Sequence, residues 1–235
     1  MCGRYVSPEQ AAIEREWHIG RHNQAALTEP FAARYNVAPQ QGNPANFVPV
    51  VRQAENGELE LVRLQWWLLP SWSKERRIKY STFNARVETV VKAASFRDPI
   101  KRRRCIIPAM GWYEWQALSS GNLPWYLHGA KGELLAFAGL WDRWEGAAEV
   151  IESCSIIVGP ANEAFGKIHD RMPFVLTPAR VGHWLDRKMT DAGKALELLQ
   201  PNPEDAIAFY RVSTRVSNAR NQGAELIEAL HGAAL

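Results

Sequence analysis

The sequence predicts an α+β protein: one domain spanning residues 1–235, built from curved, largely antiparallel β-sheet in a barrel-like arrangement with flanking helices. Three observations predict it. Strand-like runs outnumber helical ones, the 235 residues suffice to bury a sizeable core, and no Gly/Ser/Pro-rich linker, repeat or low-complexity tract divides them. Taken in order, residues 8–18 read as a short helix. Ser7 is the expected N-cap, Gln10 completes a capping-box pattern, Pro8 suits the first position, and Ile13 and Trp17 share a face. Alternating or β-rich stretches follow at 46–52, 59–67, 104–115, 125–128, 134–140, 152–158 and 174–176. Helical patterns return at 181–185 and 192–199, with Pro178 and Asp191 near their starts.

Composition narrows the class of protein. At 46% hydrophobic and 23% charged residues the chain is neither disordered, collagen-like nor coiled coil. Three cysteines without a CxxC pair argue against a disulfide framework and a cysteine-rich zinc site, and point to a reducing, cytoplasmic setting. No run of about eighteen apolar residues occurs, so no membrane span is expected, and the first residues lack the apolar stretch of a signal peptide. The net charge of +3 is segregated: residues 61–105 hold twelve Lys/Arg against three Asp/Glu, leaving the remainder net negative. Such a field draws a polyanion to one face. Two basic runs, Lys74–Arg77 (KERR) and 101–104 (KRRR), lie near Trp66, Trp67 and Trp72. Either the runs are solvated loop charges, or cations and aromatic rings together form a platform for single-stranded nucleic acid.

Position singles out Cys2, which is followed by Gly3 and Arg4. If Met1 is removed, Cys2 becomes a 1,2-aminothiol with an α-amine of ordinary pKa near ~8 beside a thiol near ~8.5. That pair can form an imine with an aldehyde and then close a five-membered thiazolidine. The same letters also fit a chance cysteine at a frayed terminus. Cys105 and Cys154 sit in apolar runs and read as inert core thiols.

Three further sites carry candidate acid, base and carboxamide groups. Glu114 lies between aromatic residues in Gly111-Trp112-Tyr113-Glu114-Trp115; it is either desolvated and suited to proton transfer, or an outward-facing strand residue. His169 has Asp170 and Arg171 beside it and is either adjustable in protonation or structural. His18, His22, His128, His183 and His231 have no comparable context. Asn84 and Arg86 offer a carboxamide for positioning and a guanidinium for phosphate, or a turn cap beside a surface charge.

Eight ordered blocks span most of the chain: MCGRY, RYNVAPQQ (34–41), LLPSW (68–72), NARVET (84–89), RCIIPAMGWYEW (104–115), FAGLW (137–141), IHDRMPFVL (168–176) and NARNQGAELIE (218–228). Together they resemble the SRAP family, named for SOS-response-associated peptidase, whose members shield abasic sites in single-stranded DNA. The resemblance implies that Cys2 cross-links to the abasic sugar, with associated lyase-like and autopeptidase activity, and that Asn84, Glu114 and His169 complete the active site. It also implies that Arg4, Asn36, Pro39, Trp72 and Arg86 line a DNA-binding surface. No metal or organic cofactor is expected, and the expected partner is single-stranded DNA containing abasic sites, met by a monomer associated with the nucleoid. Met110, Val158, Gly159 and Ser73 depart from residues that members often carry at those positions. Two other readings use part of the same features: an N-terminal-nucleophile peptidase needs Cys2 but not the basic segment, and a noncatalytic single-strand-binding module needs the segment but not Cys2.

Overall fold

The computed structural model describes residues 2–20, 29–40 and 46–230. Met1, whose removal the sequence suggests, lies outside the described residues, as do His22, Gln41 and His231. The centre of the molecule is a closed ring of five strands. In it, β3 (Phe47–Gln53) pairs with β4 (Leu59–Trp66) and β6 (Arg104–Ala109), β6 pairs with β9 (Leu135–Glu145), and β10 (Val150–Pro160) joins β9 to β4. All these pairs are antiparallel except β10 with β4, so the expected barrel-like, largely antiparallel arrangement is what forms. Closure gives each of the five strands a partner on both sides, though β3 meets β6 at Val51 alone and β10 meets β4 over two residues. Val48, Val50 and Val51 of β3 and Cys105, Ile106, Ile107 and Ala109 of β6 are buried, β-branched or small, which suits strands at the core.

A second, antiparallel sheet packs beside the ring in the order β13 (Ile207–Arg211), β8 (Gly121–Gly129), β7 (Gly111–Leu118), β1 (Tyr5–Ser7), β2 (Arg34–Val37). The run expected as one strand over 104–115 is therefore two strands in different sheets. Met110 marks the break and its N–H donates to Val6 O at 2.8 Å. Gly111 permits the crossing, because a Cβ there would lie 2.3 Å from Leu127 O. Between ring and sheet sits a core containing Tyr5, Trp66, Trp112, Phe137 and Ile156, with Cys2 and Cys154 among them.

The first helix is shorter than the periodicity suggests. It runs as α1 (Gln10–Glu16) with Glu9 at the N-cap position and no side-chain cap bond. Ser7 is not the cap: strand pairing claims the residues before it, with Tyr5 opposite Trp112 and Val6 opposite Gly111. Trp17 is the C-cap residue and packs, partly buried, against the same core cluster that Ile13 enters, as their shared face predicts. The remaining helices are short: α2 (Pro99–Arg102), α3 (Glu163–Gly166), α4 (Pro178–Leu185) and α5 (Ala192–Glu197). No helix among the described residues is long and apolar enough to cross a membrane.

Candidate active site around Cys2

Four elements converge on the start of the chain. The segment after Cys2 is pinned by Tyr113 N–H, which donates to Arg4 O at 2.9 Å, and by β1 lying between β2 and β7. This carries Cys2 into the interior, where it is fully buried and the Arg4 backbone N–H bonds its sulfur. Asn84 opens β5 (Asn84–Arg86), which rides parallel along β10 with Asn84 opposite Ile156. Its Nδ2–H donates to Cys2 O at 2.9 Å. Glu114 projects from the middle of β7 and is 3% exposed. His169 comes from the turn after α3, where Asn162 Oδ1 accepts the Phe165 N–H at 2.9 Å and Phe165 O accepts the His169 N–H at 3.2 Å. That turn brings His169 Nε2 to 3.9 Å from Glu114 Oε2. Thus Cys2, Asn84, Glu114 and His169, from four distant stretches of sequence, meet in one place.

Burial sets their charge states. It pushes the Glu114 carboxyl up to about 8, with Asp170 adding to the rise, so this group is largely protonated at neutral pH. Burial lowers His169 below its ordinary value, which favours neutral imidazole. Burial, reinforced by the charge of Glu114, pushes the Cys2 thiol well above the usual thiol range. A protonated acid, a neutral imidazole and an un-ionised thiol therefore share the site. His169 Nδ1 accepts the Arg171 backbone N–H at 3.0 Å and also lies 3.1 Å from Asp170 Oδ1. A nitrogen cannot accept the first and donate to the second at once. Neutral imidazole keeps the bond to Arg171 and carries its proton on Nε2, facing Glu114, whereas imidazolium can present Nδ1–H to Asp170.

The residues expected on the nucleic-acid surface have different surroundings. Arg4 Nη1 donates to Asn36 Oδ1 at 2.9 Å and to Val216 O at 2.8 Å, with the guanidinium over the Trp115 ring. Asn36 is buried and donates to the carbonyls of Val216, Asn218 and Asn221. Pro39 is half-buried and Arg86 exposed. Trp72 is 51% exposed, its Nε1–H held by Ala94 O at 3.0 Å. Trp66, by contrast, is fully buried and its Nε1–H donates to Phe83 O, so it belongs to the core and not to an aromatic platform.

The KRRR run is also divided. Lys101 and Arg102 are exposed, but all five N–H groups of Arg104 are spent on the carbonyls of Ile100, Lys101, Trp184, Asp186 and Met189. Burial lowers its pKa to about 10. Arg103 pairs with buried Asp142 at 3.1 Å. These two cations are structural because the chain spends them inside.

Several groups around the site have no sequence signal, since they act across long separations. Asp142 accepts the Ser71 N–H at 2.9 Å and Ser153 Oγ accepts the Leu69 N–H at 2.7 Å, which fixes the turn bearing Trp72. Glu88 pairs with Arg171. Exposed Tyr80, inside the basic stretch, could have been found by the aromatic-with-cation pattern that drew attention to Trp72.

The family model described as SOS response associated peptidase (SRAP) matches residues 1–219. The chain belongs to the SRAP family. Among SRAP relatives, the abasic site processing protein YoqW of Bacillus subtilis (strain 168) is 36% identical over 232 residues, covering 97% of this chain and 100% of that one. The abasic site processing protein HMCES of Gallus gallus is 31% identical over 261 residues, covering 97% of this chain and 77% of that one. A phage-related protein of Bordetella bronchiseptica superimposes with a TM-score of 0.67 at 29% identity, over 90% of this chain and 94% of that one. A Bacteroides thetaiotaomicron protein reaches a TM-score of 0.81 at 22% identity, over 98% of this chain and 100% of that one, and so shares the SRAP fold.

Proposed function

We propose that this SRAP protein processes abasic sites: acting as one domain and as a monomer, it binds single-stranded DNA and joins Cys2 covalently to the aldehyde of the lesion. The observation that carries the reading is the meeting of Cys2 with Asn84, Glu114 and His169. An aminothiol beside a protonated carboxyl and a neutral imidazole is what imine chemistry requires. The names of YoqW and HMCES, both abasic site processing proteins, support the substrate class.

Removal of Met1 frees the Cys2 amine. With the thiol held un-ionised by burial, the amine attacks first. C1′–O4′ cleavage opens the sugar, with a proton passing to O4′ and the aldehyde forming at C1′. The amine nitrogen bonds to C1′ as one of its protons passes to the aldehyde oxygen; a proton from Glu114 then leaves with that hydroxyl as water, and the remaining amine proton returns to the Glu114 carboxylate as the C=N bond forms. The Cys2 sulfur then adds to that carbon while its proton goes to nitrogen, closing a thiazolidine. One aldehyde and one aminothiol give one ring and one water, and no oxidant is needed. Asn84 holds the Cys2 carbonyl and so orients both nucleophiles. Arg4, Asn36, Pro39, Trp72 and Arg86 would shape the strand's path, Trp72 by stacking and Arg86 by pairing with phosphate.

The test is to incubate the protein with a single-stranded oligonucleotide bearing one abasic site and to examine the mixture after heating in SDS. A shifted, heat-stable species should form with wild type and vanish with Cys2→Ala, while Cys2→Ala still binds intact single strands. Peptide hydrolysis without an adduct would instead favour a cysteine peptidase, and binding unaffected by Cys2→Ala with no adduct in either protein would favour a noncatalytic single-strand binder.

A further inference from the structure

Two arginines adjoin residues of the convergent site, and one carboxylate pairs with Arg171 and feels the charge of Arg86. Asn84 and Arg86 are two apart on β5 and therefore project from the same face, Asn84 reaching Cys2. Arg171 opens β11 (Arg171–Pro173), its backbone N–H holding the His169 imidazole and its Nη1 pairing with Glu88 Oε1. Arg4, the other arginine close in sequence to Cys2, has its guanidinium engaged by Asn36 and Val216. Burial opposes ionisation of Glu88, yet its own backbone N–H and the charges of Arg171 and Arg86 hold the carboxyl below its ordinary value.

We infer that Glu88 is a specificity-determining residue: its carboxylate occupies the anion site formed by Arg171 and Arg86 beside Cys2, and a DNA phosphate must displace it. This rests on the proposed function. A carboxylate and a phosphate make the same charge-assisted bonds to guanidinium, so each must leave for the other to bind. The displacement cost applies equally to every single strand. On intact DNA nothing follows binding, and the weakened complex dissociates. On a lesion, bond formation at Cys2 traps the complex. Glu88 therefore keeps the protein from being held by undamaged single strands, at little loss in capture of damaged ones.

The test compares wild type, Glu88→Gln and, as a control for net charge, Glu55→Gln, an exposed carboxylate in the turn between β3 and β4, outside the basic stretch. The probe is a labelled single-stranded oligonucleotide without a lesion, followed by anisotropy across a salt series. Glu88→Gln should tighten binding about threefold to tenfold at low salt and steepen the log–log salt dependence by about 0.7, as for one extra phosphate contact. At saturating abasic DNA the adduct should form at the wild-type rate within about twofold, but excess undamaged strand should slow the variant in proportion to its tighter binding. Unchanged affinity in Glu88→Gln, or an equal gain in Glu55→Gln, overturns the inference. If wild type forms no heat-stable adduct, the proposed function fails instead, a result read in a separate arm.

Discussion

Glu114 is a carboxyl that the fold makes expensive to ionise, and this has a measurable consequence for stability. Its pKa rises from an ordinary value of about 4.3 in the unfolded chain to about 8 in the folded one, chiefly through burial. Between those values the native state binds more protons than the unfolded state, so stability falls as pH rises through that window and stays low above it. Glu114→Gln removes the ionisable group while keeping the shape. Its Tm should match wild type near pH 5 and exceed it at pH 9, each kcal/mol of ionisation cost appearing as about 2–4 °C. In the proposed reaction the substitution has the opposite effect on rate. Adduct formation should fall on the alkaline side as Glu114 loses its proton, fall on the acid side as the amine gains one, and drop by about 10²-fold or more in Glu114→Gln. A stabilised variant with full reactivity would remove Glu114 from the mechanism. At this scale the sequence was informative about chemistry and silent about company. GWYEW marks Glu114 as a carboxyl among rings, and Asp170 and Arg171 are visible beside His169, but the 3.9 Å approach of His169 to Glu114 joins residues more than fifty positions apart. The pairing of Glu88 with Arg171 is equally invisible, because both read as ordinary surface charges.

The elements that place these residues were legible in proportion to their length and regularity. β3, β4, β9 and β10 are seven to eleven residues of apolar or β-branched pattern, and the sequence locates them within a few positions. β1, β2 and β5, at three or four residues, are too short for a period to be counted, yet they position Cys2, Asn36 and Asn84. Sheet pairing also overrode local signals: Ser7 has the letters of a helix cap but ends β1, and Met110 lies within an unbroken apolar run but marks a change of sheet. The KRRR run gives the clearest case, since charge alone cannot distinguish Lys101 from Arg104. Arg104 closes the junction of α2, α4 and β6 by satisfying five carbonyls. Arg104→Met strands those acceptors and should cost about 3–5 kcal/mol, lowering Tm by about 10 °C or more. Arg102→Gln, two residues earlier and exposed, should stay within about 0.5 kcal/mol of wild type. Similar losses from both substitutions would mean that Arg104 does not knit these elements together.

For the whole molecule, the question is which part of the basic stretch meets the nucleic acid that the proposed function requires. Of its two clustered runs, KRRR sends Arg103 to Asp142 and Arg104 into the interior, halving its outward charge. Lys74, Arg76, Arg77 and Lys79 are all exposed, Arg76 pairing with Glu149 at 2.7 Å, and they lie between Trp72 and Tyr80, the exposed large aromatic residues among those described. Asp142, Ser153 and the Trp144 Nε1–H bond to Ser73 O fix the turn that starts this strip, so its charges project from an anchored base. Cations beside rings bind a single strand through phosphate and base together, so under the proposed function this strip is the expected principal contact. The affinity of wild type for intact single strands should therefore fall with salt, each neutralised phosphate contributing about −0.7 to the log–log slope. Lys74→Gln with Arg77→Gln should make that slope shallower by about 1.4, as two lost contacts require. Lys101→Gln with Arg102→Gln should change it by less than half as much, and Trp72→Ala should weaken binding while leaving the slope unaltered, because stacking releases no counterions. A larger loss of slope from the 101–102 pair would transfer the contact to the other run, and a slope near zero in wild type would mean that the segregated charge does not meet phosphate at all.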